Sequence, residues 1–116
     1  MIHIYGIANC DTVKKARKWL DAQGLEYSFH DYKKEGADAD RLARWADHVG
    51  WEVLLNRRGT IFRRLDEADK VDIDHDKALA LMVEHTSMIK RPVAESEDGE
   101  RVLVGFSQSE WESAFC

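Results

Sequence analysis

Ile2-His3-Ile4-Tyr5-Gly6-Ile7-Ala8-Asn9-Cys10-Asp11-Thr12-Val13-Lys14-Lys15-Ala16 changes its periodicity in mid-course. Ile2 to Tyr5 alternates and is rich in β-formers, and Gly6 punctuates it, so a strand runs into a loop over Ile7 to Asn9. From Thr12 the apolar residues Val13, Ala16 and Leu20 recur at i, i+3 and i+7, while Lys14, Lys15, Arg17 and Lys18 take other faces. That pattern predicts an amphipathic helix. Gly24 suits its C-terminal stop, and Leu25 to Tyr32 alternates again as a second strand. A right-handed β-α-β crossover would make the two strands parallel.

Beyond this unit, Lys33 to Ala37 is a polar connection, after which Asp38 or Asp40 can cap a helix carrying Leu42, Trp45, Ala46 and Val49, closed by Gly50. Trp51 to Leu55 leads into the basic turn Asn56-Arg57-Arg58-Gly59. Asp72 or Asp74 can cap a later helix with Leu79, Met82 and Val83 turned inward. The β-pattern resumes at Met88-Ile89 and at Arg101 to Gly105, with Asp98-Gly99 between them as a hairpin turn. A last helix from Ser107 or Ser109 carries Trp111 and Phe115. The order β-α-β, helical insertion, β-β, α predicts one α/β domain over 1–116. Its expected architecture is a thioredoxin-like (glutaredoxin-like) mixed sheet with a helical insertion at about 38–86.

The 116 residues hold 17 Lys and Arg against 22 Asp and Glu, a formal charge of −5. With 44% hydrophobic and 34% charged residues, the composition excludes a disordered or fibrous chain. The acidic balance argues against a broad nucleic-acid footprint, which needs clustered Lys and Arg. Apolar runs such as Ala78 to Val83 fall far short of the roughly 18 to 20 residues of a membrane span, and no cationic leader with a long apolar stretch opens the chain. A cytoplasmic monomer that engages neither membrane nor nucleic acid is the expectation. His3, His30, His48, His75 and His85 show no metal-ligand spacing, so no metal is expected and the histidines are read as surface or satisfied polar residues.

Only Cys10 and Cys116 carry thiols, which rules out a disulfide scaffold. Cys10 lies where a strand loop enters a helix, facing first-turn N–H groups that lack intrahelical partners and the positive end of the macrodipole. A terminus worth about 1 kcal/mol raises the ionised share of a thiol only roughly fivefold. A majority thiolate therefore needs a cation from Lys14, Lys15 or elsewhere in the fold. The plainer alternative, a buried apolar cysteine, fits poorly with the polar neighbours Asn9, Asp11 and Thr12. Thr12 can offer its hydroxyl to an anion or simply cap the helix. Position 13 is Val, so a local resolving thiol is absent, and an oxidised Cys10 would have to pass its sulfur partner to an external thiol such as glutathione. Pro92 is the only proline. A cis Arg91-Pro92 bond could set Arg91 opposite the cysteine loop, whereas a trans edge-strand proline is the commoner case. Arg57 and Arg58, with Lys90 and Arg91, are candidate anion ligands, the arginines because guanidinium presents a planar fork of donors; the alternative is a solvated face.

Three segments together, Asn9-Cys10-Asp11-Thr12-Val13-Lys14-Lys15-Ala16, Leu54-Leu55-Asn56-Arg57-Arg58-Gly59-Thr60 and Ile89-Lys90-Arg91-Pro92-Val93, resemble the arsenate reductase (ArsC) family. The likeness is greatest to its small YffB-type members, which are related to the Spx/MgsR regulators. It implies a thioredoxin-like fold with a helical insertion and a cis-proline. It further implies a catalytic thiolate at Cys10 that works with glutathione or glutaredoxin and needs no bound cofactor. In arsenate reductases of this type, arginines around the cysteine hold the oxyanion. Arg91 matches one of them; another would fall at Asn56, beside Arg57 and Arg58, and a third near Gly105. Each missing charge-assisted hydrogen bond is worth about 1.5 to 3 kcal/mol, a deficit that weakens arsenate binding by orders of magnitude. The leading expectation is therefore a glutathione-dependent thiol reductase. Cys10 would be catalytic, with Thr12, Lys14, Arg57, Arg58, Arg91 and Pro92 around the substrate or glutathione. The alternatives are a true arsenate reductase and an Spx-like, non-enzymatic regulator that contacts RNA polymerase.

Overall fold

A computed structural model describes residues 1–116. In chain order, strand β1 is Ile2–Gly6, helix α1 Asp11–Ala22, strand β2 Tyr27–Asp31 and the short helix α2 Tyr32–Glu35. Helices α3 to α7 follow at Ala39–Val49, Trp51–Leu54, Thr60–Arg63, Glu67–Lys70 and His75–Glu84, then strands β3 at Val93–Glu95 and β4 at Val102–Val104 and helix α8 at Gln108–Phe115. The chain divides into two compact units, Met1–Glu35 with Arg91–Cys116, and Gly36–Lys90.

In the first unit the four strands lie in the order β2-β1-β3-β4. β1 and β2 are parallel, with Ile4 opposite Phe29, while β1 pairs with β3 and β3 with β4 antiparallel. This is the mixed α/β sheet expected of a thioredoxin-like fold. Strand alternation sends Ile4 and Ala94 to one face, where they meet Ala16, Trp19 and Leu20 of α1 and Trp111 of α8. Trp111 is fully buried, meets Trp19, Phe106 and Phe115 edge-on, and donates its indole N–H to the Gly105 carbonyl at 3.2 Å. Helix α1 ends where the Gln23 N–H reaches the Trp19 carbonyl, and Gly24 follows with φ 70°, a left-handed position suited to glycine. The opposite face carries His3, Tyr5, His30 and the buried Glu95. His3 Nδ1 and His30 Nε2 share a hydrogen bond of 3.0 Å, and Tyr5 stacks on His30 at 4.6 Å.

In the second unit Asp38, not Asp40, caps α3: its carboxylate accepts the Asp40 N–H at 3.0 Å. Leu42, Trp45 and Ala46 are the buried face of that helix. Asp74 caps α7 by accepting the Lys77 N–H at 2.9 Å. The phase set by that cap turns Ala78, Leu81 and Met82 inward, leaving Leu79 half-buried and Val83 40% exposed. The expected inward Leu79 and Val83 are thus one step round the helix from the true face, about 100° away.

Two strand limits also differ from expectation. Met88-Ile89 is no sheet strand: Thr86–Met88 is a 3-10 turn, and Ile89 forms a lone antiparallel bridge with Leu55. The Asn56 N–H to Met88 carbonyl bond (2.7 Å) and the Lys90 N–H to Leu54 carbonyl bond (2.8 Å) complete that pairing. The hairpin is instead β3 with β4, turning through Asp98-Gly99, with the Ser96 N–H donating to the Arg101 carbonyl at 3.0 Å. Pro92 has no N–H for a ladder, so the first hairpin strand begins after it. β2 stops at Asp31, whose carboxylate accepts the Lys33 N–H at 2.8 Å and starts the turn into α2. No helix is long and apolar enough to cross a membrane.

Candidate active site

Cys10 is the N-cap residue of α1, extended at φ −141° and ψ 124°, with its carbonyl taking the Lys14 N–H at 2.9 Å. It is half-buried. Its side chain closes no ordinary capping hydrogen bond. Partial burial pushes the thiol up, but the Val13 N–H, the Arg91 side chain and the Thr12 N–H favour the anion, and the charge of Arg91 adds to them. The net effect holds Cys10 below its ordinary value. The amides thus act as polarised donors, and the cation that favours a thiolate is supplied by Arg91 from the far end of the sequence. Lys14 is exposed, and its bond to Cys10 is through the backbone.

Arg91 and Pro92 are joined by a cis peptide bond. Pro92 is buried and Arg91 half-buried. The Pro92 carbonyl accepts the Gly105 N–H at 2.8 Å, and Gly105 in turn gives its carbonyl to the Trp111 indole. The turn that carries Arg91 is therefore tied through Gly105 to the most buried aromatic of the unit. Gly105 matters here as backbone, with φ 77°, a support that a search for charged side chains would pass over. Gly6 abuts the same site: a Cβ built on it would lie 2.8 Å from Val13 Cγ2 and 3.6 Å from Arg91 Cβ.

Cys10, Thr12, Lys14, Arg91 and Pro92 all belong to the first unit, whereas Arg57 and Arg58 belong to the second. There, the Asn56 carboxamide accepts the Arg58 N–H at 3.1 Å, and the Arg57 guanidinium lies 5.4 Å from the centre of the Trp51 ring. Glu52, Leu55, Asn56, Arg57, Arg58 and Lys90 line an open pocket of about 500 Å³. Lys90, also expected as an anion ligand, lines this pocket, its backbone held by the bond to Leu54. Cys116 is exposed at the end of α8. No three His, Cys, Asp or Glu side chains converge in an arrangement that could hold a metal ion.

A solved structure of the YFFB protein is 51% identical to this chain, covers 100% of both chains and superposes with a TM-score of 0.94. An uncharacterised protein of Haemophilus influenzae is 44% identical over 116 residues, 100% of each chain. The global transcriptional regulator Spx of Streptococcus mutans is 24% identical over 95% of this chain and 80% of its own length. The model of the ArsC family matches residues 5–114, a span that takes in the Cys10 loop, the helical second unit and the Arg91-Pro92 turn. With its sheet order and its cysteine at the head of α1 matching what those segments imply, the chain belongs to the ArsC family and has the family's arsenate reductase-like fold.

Proposed function

We propose that the protein is a glutathione-dependent thiol reductase working through one catalytic sulfur, Cys10. The observation that carries this proposal is the environment of that sulfur: two first-turn amides and a guanidinium around a half-buried thiol whose ionisation is made easier. Val13 occupies the position where a dithiol enzyme keeps its resolving cysteine, so the second thiol comes from solution. In the first step the Cys10 thiolate attacks the glutathione-side sulfur of a mixed disulfide. A Cys10–glutathione disulfide forms, and the substrate leaves as a thiolate that takes up a proton. In the second, a glutathione thiolate attacks the glutathionyl sulfur of that adduct, forming oxidised glutathione and releasing the Cys10 thiolate. In sum the mixed disulfide and one glutathione thiol become the substrate thiol and oxidised glutathione. The substrate sulfur is reduced, the incoming glutathione sulfur is oxidised, and the proton of that thiol balances the one taken up by the substrate.

Arg91 stabilises the resting thiolate in this scheme and offers its fork to a glutathione carboxylate once the sulfur is neutral. Thr12 and Lys14 present donors from the exposed side of the first turn. Arg57 and Arg58, with Lys90 in one pocket, suit a carboxylate by the same chemistry. Glutaredoxin is the proposed protein partner for the second step, and no bound cofactor is required. Arsenate reduction is the second reading, favoured by family membership and by Arg91. Asn56 and Gly105 stand where further oxyanion arginines are expected.

Incubation with oxidised glutathione followed by peptide mass spectrometry tests the proposal. The expected result is an adduct on Cys10, absent in Cys10→Ser and reversed by reduced glutathione. Adduct confined to Cys116 overturns it. Arsenate-dependent oxidation of glutathione that Arg91→Ala abolishes would select the second reading instead. Recovery of RNA polymerase subunits with an ordinary Cys10 alkylation rate would select a regulator.

A further inference from the structure

We infer that Gly6 is a positioning residue for Cys10: the missing side chain at the end of β1 is what lets the first turn of α1 and the Arg91 backbone close around the cysteine. This rests on the thiolate chemistry proposed above. A Cβ at position 6 would meet Val13 Cγ2 at 2.8 Å, well inside the optimal carbon–carbon separation of about 3.5–4.0 Å. Gly6 does not have a positive φ, so its backbone would accept alanine; only the neighbour objects. Val13 has little freedom to yield. It is fully buried, and a β-branched residue in a helix has one strongly preferred χ1. Relief must therefore come from the backbone of the first turn, whose Thr12 and Val13 amides face the sulfur. The 3.6 Å distance to Arg91 Cβ is an ordinary contact, which seats the arginine turn directly against the glycine. A single absent methyl group thus keeps both of the sulfur's donor sets at their working distance.

The test is the pH profile of Cys10 alkylation by iodoacetamide, in which the thiolate displaces iodide and forms a thioether, measured on the full chain carrying Cys116→Ser. Gly6→Ala is introduced with Val13 in place and, separately, on top of Val13→Ala, which removes Cγ2 but keeps the amide. With Val13 present, Gly6→Ala is expected to slow alkylation at least about threefold near pH 6, with rates converging near pH 10 as every thiol ionises. On the Val13→Ala background the slowing should disappear. A Gly6→Ala profile that superimposes on its parent overturns the inference, as does a slowing that persists without Cγ2. Should Gly6→Ala fail to fold by circular dichroism, the doubly substituted chain decides. A folded chain with the profile of its Val13→Ala parent supports the inference, and an unfolded or shifted one overturns it. The parent chain separates the two ideas. An ordinary thiol profile there removes the thiolate proposal and this inference together, whereas low-pH reactivity shared by parent and Gly6→Ala removes Gly6 alone.

Discussion

Replacing Arg91 by alanine removes the only side-chain donor among the groups that favour the Cys10 anion, and with it their only full charge. A hydrogen bond to a charged group contributes about 1.5 to 3 kcal/mol when well desolvated. Cys10 is half-buried, so solvent screens part of this, leaving about 1 kcal/mol. At 1.36 kcal/mol per tenfold change, that is a loss of roughly fivefold in the thiolate-to-thiol ratio at neutral pH. Arg91→Lys should fall between the two, since it keeps the charge and loses the planar fork. Ultraviolet absorbance of the thiolate, recorded against pH and corrected with Cys10→Ser, reads the ratio directly. Because the Val13 and Thr12 amides remain, ionisation in Arg91→Ala should still be easier than in a free thiol. A curve for Arg91→Ala lying on that of the native protein would refute the assignment of Arg91 as the cation of the site.

The same easier ionisation of Cys10 couples stability to pH. The unfolded chain holds the Cys10 proton more tightly than the folded one, so stability rises with pH between the folded value and the ordinary thiol value. It is fully present above the ordinary value and is lost as pH falls through the folded one. Urea unfolding of the native protein against Cys10→Ser should show a gap that widens in favour of the native protein as pH rises through that window; a gap that narrows contradicts the sign. Trp111→Ala, which empties a fully buried aromatic site, should cost about 3–5 kcal/mol in urea unfolding, and a loss under about 1 kcal/mol would show that the aromatic cluster is not the core of its unit. Asp74→Ala should cost about 1 kcal/mol through the lost cap of α7, measured by the same unfolding curve.

Misplaced limits and faces share one cause. Met88-Ile89 has the composition of a strand, yet its partner is Leu55 in the same unit, and only a pairing of that range could show that the apolar dipeptide closes a helical segment instead of starting the hairpin. Val83 is as apolar as Met82, and its outward position follows from the phase that Asp74 imposes on α7. Lys90 is legible in the sequence as a cation beside Arg91, and Gly105 as the place of a missing arginine. The pocket that the first lines and the support that the second gives are not, because nothing in their immediate neighbours marks those contacts. One reaches its pocket by a backbone bond to Leu54, the other supports the Arg91 turn by a bond to Pro92.

What residues close together in the chain can settle was therefore present in the sequence itself: the β-α-β start, the helical character of the middle, the reach of Cys10 to a helix head, the lack of a second thiol at Val13. Periodicity, capping and backbone polarity act over a few residues, and a linear text records them. The charge that makes Cys10 more than a cap, the tie from Pro92 through Gly105 to Trp111, and the need for no side chain at Gly6 were decided only by the tertiary structure. Each is a contact between residues far apart in sequence, and electrostatics and steric exclusion act through distance in space, which no local pattern encodes.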